Sequence, residues 1–449
     1  MLIAGVSICD LSPEKGVDLG GYPYFHRPNT GIHDPIYGAV LFLDDGNNNK
    51  ILLLISDLFY LTKNMADRLR KSVSDYTGFA KERIIVTCSH THSAPWMSSM
   101  FEDINEESDY APVIDENHND FVMEEYSKAA AEALNNSFEA EIAYVKTQCG
   151  RKQGIGGNRR HPENGPCDED LPLFLVRDKE HVLRAVFTKY ALHPTILHGE
   201  NVLVSADFPG AMRKEINKVY PSAVFLFAQG TSGDQSPRYF RKDQSFAEVE
   251  RFGKTLADSV LQAIPSADYT DEVKLSFGCF EMELVQKKYG NPEEYKKQLG
   301  ELRIKEQKLI QNNAPYVDLQ NANLAVLGAE CDYSNSKKAI TGEVQQRYDA
   351  SAPFLTNILL INNVALVFLP GEIFSQFGLD IKEKSPYSET HVITLANGDL
   401  PGYCVTKEAL AEGGYEPYNS ILDPVSGERI VNTVINGLET IKNNFEKGF

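Results

Sequence analysis

Four apolar segments of this chain end in loops that carry polar, chemically active side chains, and this arrangement constrains the fold more than any other feature of the sequence. Apolar runs of this length are typical of buried strands, and in open sheets the residues that follow the strands gather at one edge. After the four segments the chain places His90 and His92, His193, Asp234 and Ser236, and Glu372. The sequence therefore predicts a single site assembled from distant parts of the chain.

The first of these segments, residues 84–87, leads directly into a His-x-His sequence that ends before Pro95. Two histidines separated by one residue on a strand project from the same face. Neutral imidazole is the commonest metal ligand. On these residues alone, His90 and His92 are as consistent with two hydrogen-bonded histidines at a strand end as with a metal or catalytic role.

The donor types favour zinc. Two histidines and a carboxylate that leave one coordination position open make a hydrolytic zinc site. The seven cysteines are scattered and none forms a CxxC pair, which is typical of reduced cytosolic chains and argues against a disulfide framework or a thiolate site. Cys88 and Cys404 lie near the predicted site, and we interpret both as small buried hydrophobic residues.

Charge and length limit the possible partners. The 449 residues carry a net charge of −19, which argues against nucleic acid or an anionic membrane as the main partner. No apolar run reaches the ~18 residues of a membrane span, and we expect no stable membrane anchor. The first residues lack the features of a signal peptide. We therefore expect a cytoplasmic protein, or a secreted one if the sequence starts at the mature residue.

Strands and helices alternate along the chain and predict an α/β (mixed α+β) fold, with twisted mixed β-sheets surrounded by helices. We expect one domain over residues 1–449, with a charged, peripheral helical insertion at about 289–312. An acidic surface loop near the site is expected at 101–120. The remaining predicted elements are strands at 39–43, 51–55, 141–145, 173–176, 183–187, 224–228, 358–361 and 364–369 and helices at 64–74 and 120–136.

Six segments, in order, resemble motifs of the neutral/alkaline (non-lysosomal) ceramidases, over a region that runs from about Gly5 to the C-terminus. His90-Thr91-His92-Ser93-Ala94-Pro95 is similar to THTHSGP, and Gly233-Asp234-Gln235-Ser236-Pro237 is similar to GDVSP. The other four are Asn158-Arg159 (NRSP), Leu192-His193-Pro194-Thr195 with Leu203-Val204-Ser205-Ala206-Asp207 (VHATSM…LISSD), Pro370-Gly371-Glu372 (VPGE) and Gly402-Tyr403-Cys404-Val405-Thr406 with Tyr415-Glu416 (Y-[IV]-T-T…RYE). The resemblance implies the catalytic-domain fold of that family.

The resemblance also implies a site. The family's zinc ligands carry over to His90, His193, Glu372 and Tyr403, with one zinc ion per chain. Its active-site serine corresponds to Ser236, its amide-contacting arginine to Arg159, and the second histidine of the pair, beside the metal, to His92. We expect His92 to move protons because its pKa lies close to working pH. Asp207 or Asp234 is expected to orient a ligand histidine.

The departures from the family motifs concern the substrate. Arg160, His161 and Arg238 stand where the family has other residues, and they predict a more polar and cationic mouth than a lipid slot, suited to a carboxylate, a phosphate or a sugar-linked acid. The chain ends at Phe449, so we expect the family's immunoglobulin-like C-terminal domain to be absent.

These observations predict a zinc-dependent hydrolase that cleaves an amide (N-acyl) bond in a small or amphiphilic molecule. Arg159 and Tyr403 would stabilise the oxyanion, and Ser236 would orient the reacting group or act as the nucleophile. Two alternatives remain open. One is a metal-dependent deacetylase, esterase or glycosidase that acts on a carbohydrate or other polar metabolite. The other is a metal-stabilised binding protein without turnover. The sequence does not determine the oligomeric state.

Overall fold

The structure is a computed structural model of the chain, and it describes residues 1–22, 25–98 and 112–447. The strands are β1 Leu2–Asp10, β2 Gly31–Ile32, β3 Tyr37–Asp44, β4 Lys50–Ser56, β5 Ile84–Cys88, β6 Phe138–Gln148, β7 Gly157–Asn158, β8 Asp170–Asp178, β9 Leu183–Tyr190, β10 Leu203–Val204, β11 Val224–Gln229, β12 Gln235–Ser236, β13 Leu275–Met282, β14 Phe354–Ile361, β15 Val364–Phe368, β16 Glu372–Ile373, β17 Glu389–Ile393 and β18 Tyr403–Cys404. The helices are α1 Lys63–Thr77, α2 Glu116–Asn135, α3 Asp207–Val219, α4 Phe246–Ala263, α5 Pro292–Gln311, α6 Tyr316–Thr341, α7 Glu343–Ser351, α8 Ser375–Lys384, α9 Lys407–Glu412, α10 Tyr415–Tyr418 and α11 Val425–Lys447.

Two mixed sheets form the centre of the fold. The larger sheet has eight strands in the order β11-β9-β8-β6-β1-β3-β4-β5, and the smaller has the order β13-β14-β15-β17. Neighbours are antiparallel except for the pairs β9–β11, β4–β5 and β15–β17, which are parallel. Both the predicted hairpin β8–β9 and the predicted pair β14–β15 are antiparallel neighbours. The mixed α/β class is therefore confirmed.

The two sheets pack face to face. Alternate residues of β4, such as Leu53, meet residues of the smaller sheet, such as Leu359 and Leu366, in one buried cluster. The intervening residue Leu54 points to the other face, where it packs against the helices α1 and α2. A strand that is covered on both faces reads as a continuous apolar run, and this is why the strands are visible in the sequence.

Helices cover both outer faces and complete a four-layer arrangement. Helices α3 and α4 share a buried cluster with β8, β9 and β11, and α8 and α11 cover the smaller sheet. Within the described ranges, no helix is both long enough and apolar enough to cross a bilayer. The acidic loop that we expect at 101–120 lies mostly outside the described residues, since 101–111 is not described, and residues 116–120 form the first part of α2.

The helical insertion is larger than the sequence indicates. The charged stretch at 289–312 is the helix α5, and among its described side chains only Leu299 is buried. Helix α5 packs along α6, a helix of 26 residues that the sequence analysis did not predict. Leu299 contacts α6 through Val326 and Ala329. The stretch is mostly exposed, and it packs against a second helix that extends to the site described below.

The ends of several strands meet at one place. The side-chain amide of Gln229, at the end of β11, donates to the carbonyl of Ser89, directly after β5, at 3.1 Å. The backbone amide of Thr394, directly after β17, donates to the carbonyl of Gln229 at 2.8 Å. The edge strands β5 and β11 of the larger sheet are therefore brought together, and the loops that follow β5, β9, β11 and β15 converge.

Candidate functional site

The loop after β5 positions the two histidines of the His-x-His segment. The strand ends at Cys88, so the expectation that both histidines lie on a strand is wrong. His90 has a left-handed backbone with φ of 73°, and its amide donates to the carbonyl of Leu58 at 3.0 Å. This turn, and not strand alternation, brings the rings of His90 and His92 to a centroid distance of 5.0 Å.

Backbone carbonyl groups orient the buried rings of His90 and His193. The Nδ1 atom of His90 lies 2.8 Å from the carbonyl oxygen of Phe59. The Nδ1 atom of His193 lies 2.7 Å from the carbonyl oxygen of Ser232. A carbonyl oxygen only accepts hydrogen bonds, so Nδ1 carries the proton in both rings and a neutral ring presents a lone pair at Nε2.

Glu372 meets both of these Nε2 atoms. Its Oε2 atom is 2.9 Å from Nε2 of His193 and 3.4 Å from Nε2 of His90. Burial raises the pKa of Glu372, but His90 and His193 outweigh burial and hold this pKa well below its usual range. Burial and Arg159 lower the pKa of His193 to about 4. At neutral pH an ionised carboxylate therefore faces an imidazole lone pair.

This contact tests whether a metal ion fits the site. Two lone pairs at 2.9 Å repel each other unless a cation lies between them. In tetrahedral zinc sites with bonds of about 2.0–2.2 Å, neighbouring donor atoms lie roughly 3.3–3.6 Å apart. The distance of 3.4 Å from Glu372 to His90 lies in this range, and the distance of 2.9 Å to His193 is shorter. The buried Nε2 of His90 also has no hydrogen-bond partner among the described residues, as a metal ligand requires.

Tyr403, the fourth predicted ligand, lies beside Glu372. The two residues are paired in the parallel two-residue strands β16 and β18, which places their side chains on the same face. Tyr403 is buried, and burial together with the carboxylate of Glu372 raises its pKa well above the usual value. The guanidinium carbon of Arg159 lies 5.7 Å from the centre of its ring. Two predicted roles of Tyr403, ligand and oxyanion donor, are compatible with this position.

His92 lies beside the two predicted ligand histidines, with its ring centre 5.0 Å from that of His90 and 5.9 Å from that of His193. Its ring nitrogens are buried and, in the described part of the chain, make no hydrogen bond. Burial, His90 and His193 hold its pKa well below the ordinary value, so the expectation that this pKa lies close to working pH is wrong. Donor atoms of His90, His92 and His193 all lie within 4.8 Å of one another. A three-histidine group thus overlaps the predicted ligand set.

A pair of two-residue strands positions Arg159 and Ser236. Strand β7 pairs with β12, with Ser236 opposite Gly157, and Arg159 follows β7 directly. The Nε atom of Arg159 donates to Oε1 of Glu416 at 2.7 Å, and an Nη atom donates to the carbonyl of Gly233 at 2.7 Å. Burial lowers the pKa of Arg159, but Glu416 outweighs burial and raises it above the usual value, so this guanidinium is charged.

Neither of the predicted orienting aspartates contacts a ligand histidine, and this expectation is wrong. Asp234 accepts hydrogen bonds from the amide of Ser375 and the side chain of Asn158, both at 2.8 Å. Asp207 accepts from the amide of Leu197 at 3.1 Å. The loop after β11 wraps around His193, so backbone carbonyls hold the ring, and the two carboxylates hold the surrounding loops.

A cavity of about 100 Å³ opens beside these residues. Five of the residues predicted as metal ligands or catalytic groups line it, namely His92, Arg159, His193, Ser236 and Tyr403. The sequence analysis missed other lining residues, namely Tyr22, His198, Arg241, Tyr316, Val317 and Leu324. No motif or periodicity marked these positions, because they belong to loops and to the unpredicted helix α6.

The departures from the family motifs divide into two groups. Arg238 lines the cavity, as the prediction of a cationic mouth requires. Arg160 instead donates to Glu416 and Glu412, each at 2.9 Å, and His161, which is 52% exposed, lies 3.1 Å from Glu412. These two acidic residues belong to the α9–α10 region and draw Arg160 and His161 away from the cavity, so for those two the prediction is wrong.

The two cysteines near the site behave as buried apolar residues. Cys88 and Cys404 are both buried. Burial raises the pKa of each thiol to about 12. A thiol with such a pKa is protonated at neutral pH and is a poor nucleophile or ligand.

Known proteins with similar structures identify the fold. Neutral ceramidase from Pseudomonas aeruginosa superposes with a TM-score of 0.72 and 15% identity, over 98% of this chain and 75% of that protein. The chain has the neutral-ceramidase fold. A structure of a ceramidase complexed with C2 also has this fold and matches with a TM-score of 0.71 and 13% identity, over 99% of this chain and 75% of that one.

A sequence relative agrees with this neutral-ceramidase fold. The chain is 24% identical over 260 residues to neutral ceramidase of Drosophila pseudoobscura pseudoobscura, a match that covers 52% of this chain and 36% of that protein. The match thus spans about a third of the relative's length. No family model matches the chain. The resemblance to neutral ceramidases inferred from the motifs is confirmed by the sequence relative and by the solved structures.

Proposed function

We propose that the protein is a zinc-dependent hydrolase that cleaves an amide (N-acyl) bond. The observation that carries this proposal is the contact of Glu372 with the unprotonated Nε2 atoms of His90 and His193. A cavity lined by Arg159 and Ser236 adjoins it. His90, His193, Glu372 and Tyr403 would hold one zinc ion, which when bound lowers the pKa of water and polarises a carbonyl group.

Arg159 and Tyr403 are the candidates for stabilising negative charge on the scissile carbonyl oxygen. Glu416 and the carbonyl of Gly233 fix the guanidinium of Arg159 through two of its nitrogen atoms. A donor that is already oriented needs no reorganisation when charge develops, and removal of one such donor typically costs ~10²–10³-fold in kcat. The high pKa of Tyr403 keeps its hydroxyl available as a hydrogen-bond donor.

Ser236 and His92 are the candidates for nucleophile or orienting group and for proton acceptor. His92 is neutral at pH 7, because burial and the neighbouring histidines lower its pKa. Neither ring nitrogen has a hydrogen-bond partner among the described residues, so this neutral imidazole can accept a proton from a hydroxyl group or from water in the cavity. Ser236 lines the same cavity and is buried.

The test of this proposal is amine release from N-acyl compounds. The zinc-loaded protein is assayed with N-acetyl, N-hexanoyl and N-palmitoyl amides, beside the variant Glu372→Gln. Glu428→Gln, which changes an exposed glutamate paired with Lys407, is the control. We expect turnover by the wild type and the control and loss of at least ~10³-fold in Glu372→Gln. The proposal fails if the zinc-loaded wild type releases no amine from any of the three, or if Glu372→Gln is fully active.

A further inference from the structure

The cavity beside the candidate metal site is cationic in an otherwise acidic protein. The described residues that line it include Arg159, Arg238 and Arg241 but no aspartate or glutamate. The whole chain, in contrast, has a net charge of −19. Three guanidinium groups are therefore concentrated where a substrate would enter.

Two of these arginines have no carboxylate partner in the part of the chain that the structure describes. The side chain of Arg238 donates to the amide oxygen of Asn321 at 3.2 Å. That of Arg241 donates to the carbonyl oxygens of Thr195 and Ile196. These neutral acceptors orient the guanidinium groups but leave their charges uncompensated.

Glu416, the glutamate whose charge acts on Arg238, is already paired with two other arginines. Glu416 uses Oε1 to accept from Arg159 and Oε2 to accept from Arg160. Burial, and then the charge of Arg159, lower the pKa of Arg238 to about 10, so this side chain still carries its charge at neutral pH. A partly buried cation without a counter-charge is costly, and an anionic ligand removes that cost.

We infer that Arg238 and Arg241 bind an anionic group of the substrate, a carboxylate or a phosphate, and that the substrate is a small N-acyl compound carrying such a group. This inference rests on the proposed function. The position suits it, because Arg238 and Arg241 line the same small cavity as Ser236, so an anion bound by them lies in the cavity that holds the candidate reacting group.

The size of the cavity supports a small substrate. At about 100 Å³, it is smaller than the roughly 300–1,000 Å³ of pockets that hold drug-sized ligands. A compact acid such as N-acetylglycine matches this space better than a long-chain lipid. Charge and volume thus point to the same class of compound.

The test compares two probes that differ by one charge. N-acetylglycine and its neutral amide, N-acetylglycinamide, are titrated calorimetrically into the protein, once after chelation and once loaded with zinc; inorganic phosphate is titrated in the same way. We expect N-acetylglycine or phosphate to bind about tenfold or more tightly than the amide. Arg238→Gln and Arg241→Gln should abolish this preference, and Arg238→Lys should retain part of it. Arg429→Gln, an exposed arginine near Glu283, is the control.

The outcomes separate the inference from the proposed function. Tighter binding of phosphate than of N-acetylglycine supports the inference with a phosphorylated substrate, and the reverse supports it with a carboxylate. A protein that binds neither N-acetylglycine nor phosphate more tightly than the amide, or a preference that persists in both glutamine variants, overturns the inference. Anion binding is measured with and without zinc, so it does not depend on hydrolysis. A protein that binds the anions but releases no amine would therefore contradict only the hydrolase proposal.

Discussion

Each ligand-type histidine has one ring nitrogen bonded to a backbone carbonyl, and this contact determines the role of the other nitrogen. The carbonyls of Phe59 and Ser232 fix the protonated Nδ1 atoms of His90 and His193. In many metal sites a carboxylate performs this task. Here the backbone does so, and the nearby carboxylate of Glu372 faces the unprotonated nitrogens.

Tyr403 and His92 distinguish the two possible ligand sets. We expect Tyr403→Phe to weaken zinc binding by about tenfold or more, because Tyr403 is paired with Glu372 in β16–β18 and the charge of Glu372 acts on its hydroxyl group. His92→Ala should change the zinc affinity by no more than about threefold, because His92 does not belong to the proposed ligand set. Competition with a chromogenic chelator measures both affinities. The opposite ranking would instead support the three-histidine group.

For single residues, the sequence predicts which side chains come together but not how they are oriented. His92, Arg159, His193, Ser236 and Tyr403 line one cavity, as the ordered motifs predict. The sequence could not predict the left-handed turn at His90, because it depends on contacts with the loop after β4. It could not predict the low pKa of His92 either, since that follows from burial beside two other rings.

Helix α6 closes one side of the cavity, and we expect it to limit the length of the acyl group that the cavity accepts. Val317 and Leu324 from this helix line the cavity. We expect Leu324→Ala to raise kcat/KM for N-hexanoyl relative to N-acetyl substrates by several-fold, because a deleted side chain leaves space for additional methylene groups. The readout is the ratio of the two rates.

The control for that prediction is Ile340→Ala, at a residue of α6 that is 74% exposed and does not line the described cavity. It should leave the ratio unchanged. A Leu324→Ala ratio equal to that of the wild type would show that α6 does not limit the acyl group.

Several of the strands that were visible in the sequence have both faces buried. Strands β4 and β11 are apolar over residues 51–55 and 224–228, because sheets and helices cover them on both sides. Helix α6 was missed because small and polar residues occur all around it, which leaves no apolar stripe. The strand pairs β7–β12 and β16–β18 have two residues each, too few to produce a pattern, yet they position Ser236 and Glu372.

For the whole molecule, the buried carboxyl group of Asp207 makes stability depend on pH. Burial raises its pKa to about 7, above the value in an unfolded chain. The folded state then binds the proton more tightly, so this contribution is present at low pH and is lost as the pH rises through about 7. Because of this one carboxyl group, we expect the free energy of unfolding of the chelated protein to decrease by roughly 1–3 kcal/mol from pH 5 to pH 8.

Urea unfolding at the two pH values measures this effect. Asp207→Asn should reduce the decrease, and Asp258→Asn, at an exposed aspartate on α4 paired with Lys254, should not. An identical pH dependence in the wild type and Asp207→Asn would mean that Asp207 is ionised in the folded protein at both values.

The proposed metal site also involves the whole molecule, because its candidate ligands come from distant parts of the chain. His193 and Glu372 are in contact although 179 residues separate them. The site therefore exists only when the layers have assembled, and metal binding should stabilise the folded state. The ordered motifs could predict this set of residues, whereas their convergence depends on how the two sheets pack.

The most direct test of the account is the zinc content of the purified protein after dialysis against zinc, measured by mass spectrometry of the metal. His193→Ala is compared with His181→Ala, whose histidine is 65% exposed, and circular dichroism verifies that both variants are folded. We expect about one zinc ion per chain in the wild type and in His181→Ala, and none in folded His193→Ala. A wild-type protein without stoichiometric zinc, or a His193→Ala variant that retains it, would contradict the assignment of the metal site.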